Sequence, residues 1–374
     1  MKKLLLPMLI LPTLCLAQET KIDPILLGLG EVFFFDKSLS HNKTQSCSTC
    51  HMPAAAFADL RQNDIAHMVS QGDDPIKFGN RNTPTALYAK YSPSFHFDEK
   101  INDYVGGQFW DGRAKNLAEQ AGGPPLNPVE MGMKDKADVV KRIEENQAVK
   151  DYITKYFGAE IWKDNQKIYA IMEQALATFE HLDLFSQFSS KYDRTLAGKD
   201  TLTEQESLGK ALFFDKEKTN CSNCHQLQTA DHDEETFTNY RYFNLGVPKN
   251  EALIAHNKLD NSWIDNGLLD NPMVKGDEKQ KGKFKVPTLR NVAVTAPYMH
   301  NGVFKELRTV LLFLDSYNNP ARKINPETSK PWDLPEYAPT VSHDALKGKP
   351  LTDTEIDALE SFLKTLTDAP YERN

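Results

Sequence analysis

The chain has 374 residues and a formal net charge of −8, and 40% of its residues are hydrophobic. This composition supplies enough apolar material for the cores of two domains. The acidic balance argues against nucleic acid as a partner, because binding phosphates needs clustered lysine and arginine side chains.

The first 17 residues, MKKLLLPMLILPTLCLA, have the pattern of a secretory signal peptide. Two lysines precede an apolar stretch and a small-residue cleavage site, and the stretch is too short to span a bilayer as a helix. Leu14, directly before Cys15, argues against lipid attachment at that cysteine. No later apolar run is long enough for a membrane helix, so we expect a periplasmic protein with no membrane span.

The rest of the chain contains a long-range repeat. Residues 30–37 read GEVFFFDK and residues 209–216 read GKALFFDK, and a C-x-x-C-H motif follows each copy. Self-similarity at this spacing indicates duplication of a whole domain. We therefore predict an N-terminal domain at 18–195 and a C-terminal domain at 196–374.

Four segments have the pattern of helices. Residues 24–35 and 166–180 are apolar or carry an apolar stripe, and they fall near the two ends of the first domain. In the second domain, capping boxes at Thr203 and Thr352 precede apolar residues at helical spacing. We expect the first and last helices of each domain to pack across each other.

The four cysteines that remain after the leader all lie in the two C-x-x-C-H motifs. In this motif each thiol forms a thioether to a haem vinyl group, and the histidine is placed to ligate the iron as the proximal ligand. A disulfide pair or a four-cysteine zinc site would leave the histidine after both pairs unexplained. We therefore predict two covalent haem c groups, attached at Cys47, Cys50, His51, Cys221, Cys224 and His225.

With a haem in each half, the pattern predicts a mainly α protein built from two cytochrome c-like helical domains with long loops. The polar residues 190–200 are expected to be a linker between the domains. Residues 226–283 are polar and lack strong periodicity, so we expect a long loop over the second haem.

Two further blocks resemble the bacterial dihaem cytochrome c peroxidase and MauG family. They are QFWDGRAKNLAEQAGGPPLNPVEMG at 108–132 and FKVPTLRNVAVTAPYMHNG at 284–302. The resemblance covers nearly the whole mature chain. It implies that the N-terminal haem reacts with peroxide and that the C-terminal haem stores or relays electrons.

The resemblance also implies roles for single residues. Gln120 and Glu130 match the acid–base pair, Trp110 matches a tryptophan between the haems, and Pro124 matches a distal-pocket proline of the MauG branch. A glutamate in an apolar pocket can move a proton between the two peroxide oxygens, while a glutamine positions the peroxide. One Ca²⁺ is expected between the domains, at positions that match the family's calcium-binding residues: Asn82, Thr295 and Pro297.

The chain departs from the family at two axial positions. Where reductively activated peroxidases have a distal histidine, this chain has Asp74, and His67 lies seven residues earlier. The MauG branch also lacks that histidine, which leaves its first haem open. The family's sixth ligand at the second haem aligns with Leu314, which cannot bind iron. Tyr317, one helical turn later, and Met299 are the alternatives for this position.

The leading functional hypothesis is a periplasmic dihaem peroxidase of MauG-like type that reduces hydrogen peroxide. Its electrons would come from a small redox protein or from the side chain of a protein substrate. One alternative is an ordinary peroxidase fed by a cytochrome c or a cupredoxin, and another is a dihaem electron carrier without peroxide chemistry. An open first haem with Glu130 nearby would indicate catalysis, whereas filled axial positions at both haems would indicate electron transfer.

Overall fold

The computed structural model describes residues 22–229 and 232–372, so the predicted signal peptide lies outside the described residues. The helices are α1 (Pro24–Phe35), α2 (Cys47–Cys50), α3 (Leu117–Ala121), α4 (Lys136–Glu145), α5 (Gln147–Phe157), α6 (Asn165–Glu180), α7 (Lys191–Leu196), α8 (Glu204–Phe214), α9 (Cys221–Cys224), α10 (Glu251–His256), α11 (Leu307–Ser316) and α12 (Asp353–Lys364). Three antiparallel strand pairs accompany them: β1 (His96–Asp98) with β2 (Asp103–Val105), β3 (Tyr242–Phe243) with β4 (Phe284–Lys285), and β5 (Ile324–Asn325) with β6 (Lys330–Pro331).

The predicted helices at the ends of each half are α1, α6, α8 and α12. The two capping boxes begin α8 and α12, because the hydroxyl oxygens of Thr203 and Thr352 each accept a backbone N–H three residues later at 3.2 Å. Helix α1 packs across α6, and α8 packs across α12. The mainly α fold expected from the sequence is confirmed.

Each crossing depends on a glycine of the repeated segment. A Cβ added to Gly30 of α1 would overlap the carbonyl oxygen of Ala175 in α6. A Cβ added to Gly209 of α8 would overlap the carbonyl oxygen of Ala358 in α12 in the same way. The repeat therefore encodes a close approach between the first and last helices of each half.

Two separate apolar cores surround these crossings. The first contains Phe34 and Phe179, whose ring centroids are 5.3 Å apart, and the second contains Phe213 and Phe362, at 5.4 Å. Tyr192 belongs to the second core although it precedes the predicted boundary at 195. The boundary itself stays a prediction.

Two expectations about the connecting segments were wrong in part. Residues 190–200 include the helix α7 and the buried Tyr192, because an apolar ring in this polar segment packs into the second core. Residues 226–283 include α10, and they reach the first half as well as the second. The His256 ring lies 4.2 Å from the Phe78 ring.

In the described part of the chain no helix is both long and apolar enough to cross a bilayer.

Candidate active site

The first C-x-x-C-H motif forms the one-turn helix α2, and His51 follows it directly. The backbone N–H of Ser46 donates to Thr49 Oγ1 at 2.9 Å, which stabilises the start of the turn. Nδ1 of His51 donates to the carbonyl oxygen of Phe57 at 3.1 Å, so Nε2 keeps its lone pair for a metal. Burial lowers the pKa of His51, which favours the neutral, metal-binding ring.

The second motif repeats this arrangement in α9. Nδ1 of His225 donates to the carbonyl oxygen of Phe237 at 3.0 Å, and burial lowers the pKa of His225 to about 4. The four cysteines in the described residues are free, and the two motifs line different cavities. Two cavities exclude a single four-cysteine zinc site. The first cavity is lined by Cys50 and His51, with Cys47 in the same helical turn, and the second by Cys221, Cys224 and His225. Each set fits a covalent haem c.

The cavity at the first motif contains the residues predicted for catalysis. It encloses about 540 Å³, and its lining includes His51, Gln120, Pro124 and Glu130. Gln120 lies in α3, which starts where Asn116 Oδ1 accepts the backbone N–H of Glu119 at 3.0 Å. Pro124 opens the 3-10 turn that follows, so a short continuous segment presents these side chains to the cavity.

Glu130 has the environment expected of a proton-transferring carboxyl group. Its Oε1 accepts a hydrogen bond from Asn127 Nδ2 at 2.6 Å. Burial raises the pKa of Glu130 above its ordinary value of 4.5, and the charge of Arg113 and the Asn127 hydrogen bond offset part of that rise. The group therefore exchanges its proton at higher pH than an exposed glutamate does.

A charged cluster that sequence reasoning did not identify lies in the wall of the same cavity. Arg81 donates from Nη1 to Asp111 and from Nη2 to Asp265, each at 2.6 Å. Arg113 Nη1 donates to Asp111 at 2.9 Å. The aspartates are 2% and 4% exposed, so their charges need these partners. Asp111 and Arg113 lie within the quoted WDGR sequence, but no local pattern connects them to Asp265.

Glu180 was also missed. It is the last residue of α6 and lines the first cavity, and burial raises its pKa to about 8. The carboxyl group is therefore mostly protonated at neutral pH. The sequence feature that could have identified Glu180 is its place as an acid at the end of the apolar stripe of α6.

Trp110 lies between the cavities of the two motifs and lines both of them. Its Nε1 donates to the carbonyl oxygen of Asn82 at 2.8 Å. Its own carbonyl oxygen accepts the backbone N–H of Lys285 in β4 at 2.9 Å. Segments from both halves of the chain therefore hold Trp110 in place, by its indole N–H and by its backbone.

The two candidate axial ligands of the second haem lie in different places. Met299 and Leu314 line the cavity of the second motif. Tyr317 is not among the described residues that line it, and its hydroxyl donates to the carbonyl oxygen of Leu245 at 3.0 Å. The structure brings Met299, and not Tyr317, to the cavity of His225.

The two residues considered for the distal side of the first haem lie outside its cavity. His67 Nδ1 is 2.9 Å from Gln62 Nε2 in an exposed contact. The Asp74 carboxylate pairs with Lys77 at 3.7 Å. Neither His67 nor Asp74 is among the described residues that line the cavity of His51.

The three predicted calcium-binding residues, Asn82, Thr295 and Pro297, line a third cavity together with Trp110. Their neutral oxygens are ligands that Ca²⁺ accepts, although it takes six to eight oxygens in all. The described lining contains no carboxylate, and the buried side chain of Lys285 is part of it. Calcium binding therefore stays a prediction.

Two helical halves, each with a C-x-x-C-H motif on the wall of its own cavity, define a di-haem c-type protein. Comparisons with known proteins agree. The family model for di-haem cytochrome c peroxidase, CCP_MauG, matches residues 25–201. Methylamine utilization protein MauG of Paracoccus denitrificans (strain Pd 1222) is 46% identical over 359 residues, which are 95% of this chain and 92% of that protein.

Two further relatives cover most of the chain. The cytochrome c551 peroxidase of Nitrosomonas europaea is 30% identical over 73% of this chain and 68% of that protein. The crystal structure of the diheme peroxidase BthA from Burkholderia thailandensis E264 matches with a TM-score of 0.82 at 34% identity, covering 93% of this chain and 87% of that chain. This chain belongs to the di-haem cytochrome c peroxidase and MauG family. It is an oxidoreductase with two haem c groups.

Proposed function

We propose that this protein is a periplasmic, MauG-like peroxidase that reduces hydrogen peroxide at the N-terminal haem. The observation that carries the proposal is an asymmetry between the two haem cavities. Gln120 and Glu130 line only the first, whereas Trp110 lines both. The first site therefore has the groups for proton transfer. The second site shares the Trp110 ring with the first, and electrons are relayed through that ring.

The chain's own residues supply the proton chemistry. Reducing one hydrogen peroxide to two water molecules takes two protons and two electrons. Glu130 accepts the proton from one peroxide oxygen and returns it to the other, and Gln120 orients the peroxide by hydrogen bonding. When bound, the haem iron supplies the electrons that break the O–O bond.

The MauG-like reading is favoured over an ordinary, reductively activated peroxidase by the positions of His67 and Asp74, outside the first cavity. With neither of these two side chains at the site, the ferric protein is ready for peroxide. The electron donor is a small redox protein or the side chain of a protein substrate. Export to the periplasm rests on the leader sequence, and a mature N-terminus at Gln18 in a mass measurement tests it.

Met299 is our choice for the axial ligand of the second haem, since it lines that cavity with Leu314. A thioether ligand raises the reduction potential of a haem.

One Ca²⁺ held by Asn82, Thr295 and Pro297 is proposed from the family positions and their shared cavity. Metal analysis before and after treatment with a chelator tests it, and a calcium-free protein would contradict it.

Peroxide added to the never-reduced ferric protein tests the function. We expect immediate absorbance changes at both haems in the wild type. In Trp110→Phe, which keeps a ring but loses the indole, we expect the change at the second haem to be slower. An unresponsive wild type would support the electron-carrier alternative. Equal rates at both haems in the variant would remove Trp110 from the electron path.

A further inference from the structure

Arg113 lines the cavity of the first C-x-x-C-H motif, and its partly exposed guanidinium has charged N–H groups that no other described residue uses. Two arginines line this cavity within the described residues. Arg81 directs Nε, Nη1 and Nη2 at Asp111 and Asp265. Asp111 accepts from only Nη1 of the Arg113 guanidinium, so Nε and Nη2 have no hydrogen-bond partner in the described part of the chain.

Packing holds this guanidinium beside the segment that carries the proton-transferring residues. It lies 3.7 Å from the centroid of the Phe109 ring. Phe109 Cζ is 3.3 Å from the place that a Cβ on Gly123 would occupy, and the Gly123 N–H donates to the carbonyl oxygen of Gln120 at 2.9 Å. Arg113 is also the charged group that most strongly lowers the pKa of Glu130.

We propose that Arg113 binds the hydroperoxide anion that forms when peroxide gives its proton to Glu130. In this step an O–H bond of the peroxide breaks, the carboxylate takes the proton, and no electron moves. Negative charge passes from the carboxylate to a peroxide oxygen, where a fixed guanidinium stabilises it. The inference rests on the proposed peroxide chemistry, but its test needs no turnover.

A guanidinium in a haem cavity also suits the carboxylates of the haem itself, so the test separates anion binding from haem anchoring. The change is Arg113→Gln. Asp111 keeps its partner Arg81 in this variant, so no buried charge is left alone. Fluoride serves as the anionic probe of the ferric protein, and carbon monoxide serves as the neutral probe of the reduced protein.

We expect fluoride to bind Arg113→Gln about 10- to 100-fold more weakly than the wild type, the effect of losing one charge-assisted hydrogen bond. Carbon monoxide affinity should stay within about twofold of the wild type. Arg113→Lys keeps the positive charge but loses the planar guanidinium, so its fluoride affinity should lie between those of the wild type and Arg113→Gln. Formation of the peroxide-oxidised protein should slow in Arg113→Gln by on the order of 10²-fold.

The matched control is Arg241→Gln. Arg241 also pairs with an aspartate, Asp103 at 2.7 Å, and lies over a phenylalanine ring, Phe243 at 5.3 Å. It is not among the described residues that line the first cavity, so fluoride affinity should not change. Unchanged fluoride binding in Arg113→Gln would overturn the proposal. Equal losses of fluoride and carbon monoxide binding would also overturn it and would assign Arg113 to the haem carboxylates.

Discussion

Replacing Glu130 with glutamine removes one proton-transferring group and little else. The side chain keeps its size, and the amide oxygen can still accept the hydrogen bond that Asn127 Nδ2 donates at 2.6 Å. Gln120, Pro124 and the two haem-attachment motifs are untouched. We therefore expect unchanged haem content in Glu130→Gln, and any loss of reactivity reports on the proton.

The expected loss follows from the role of a positioned general base. Removing such a group slows a reaction by roughly 10²- to 10⁴-fold, or about 3–5 kcal/mol in the activation barrier. Glu130 should lie at or above the lower figure, because desolvation raises its pKa and two other carboxylates of the cavity wall, Asp111 and Asp265, are already paired with Arg81. Stopped-flow absorbance of ferric protein mixed with peroxide measures the rate.

The pH dependence supplies a second test of Glu130. A base must be ionised to accept a proton, so the wild-type rate should fall as pH drops through the Glu130 pKa. Burial raises that pKa above 4.5, so the fall should begin at higher pH than for an exposed glutamate. The fall should be absent in Glu130→Gln. In Arg113→Gln it should move to still higher pH, because a charge that lowers the pKa is lost.

Glu119→Gln is the matched control for this experiment. Glu119 is exposed on α3, where its carboxylate accepts the backbone N–H of Lys115 at 2.7 Å. Its substitution should leave the peroxide rate unchanged. A wild-type rate in Glu130→Gln, or an unchanged pH profile, would show that another group moves the proton and would refute the reasoning above.

Three further outcomes are expected. Met299→Leu should lower the reduction potential of the second haem and change its spectrum, whereas Tyr317→Phe should do neither; the reverse result would make the tyrosine the ligand. His67→Ala should react with peroxide as fast as the wild type without prior reduction, and a faster variant would show that this histidine blocks the site. Gly30→Ala should destabilise the holoprotein by roughly 1–3 kcal/mol in thermal unfolding, since its Cβ meets backbone of α6. Gly28→Ala in the same helix is the control, because a Cβ there would have only the Tyr152 hydroxyl near it, at 3.6 Å, and should not destabilise the holoprotein. Equal destabilisation by the two substitutions would contradict the argument that Gly30 is needed for the helix crossing.

Family resemblance assigned the acid–base pair, but only the contacts around Glu130 give it a physical basis. From sequence alone, a glutamate after the Asn-Pro-Val segment is more often a cap or a surface acid than a catalytic group. The fold surrounds it with the cavity wall and places Arg113 near it. The pKa of a side chain depends on such surroundings, which come from distant parts of the chain.

The features that could be predicted from the sequence are those that local chemistry controls. The C-x-x-C-H motifs specify haem attachment, because all the groups that bind each haem covalently, and its proximal histidine, lie within five consecutive residues. The capping boxes specify where α8 and α12 begin. The repeated Asp36 and Asp215 end α1 and α8, and their carboxylates accept backbone N–H groups two residues later at 2.8 and 2.9 Å. All of these depend on neighbours within a few residues, so a pattern can predict them.

Contacts between distant groups could not be predicted in this way, because they depend on how the whole chain packs. The pairing of Arg81 with Asp265 joins residues separated by 184 positions. The contact of Trp110 with both cavities requires the two halves to pack around one ring. Helical spacing kept Tyr317 as a candidate ligand, yet its hydroxyl binds the carbonyl oxygen of Leu245 instead. Packing between remote segments sets these contacts, because a side chain takes whichever buried partner the fold brings within reach.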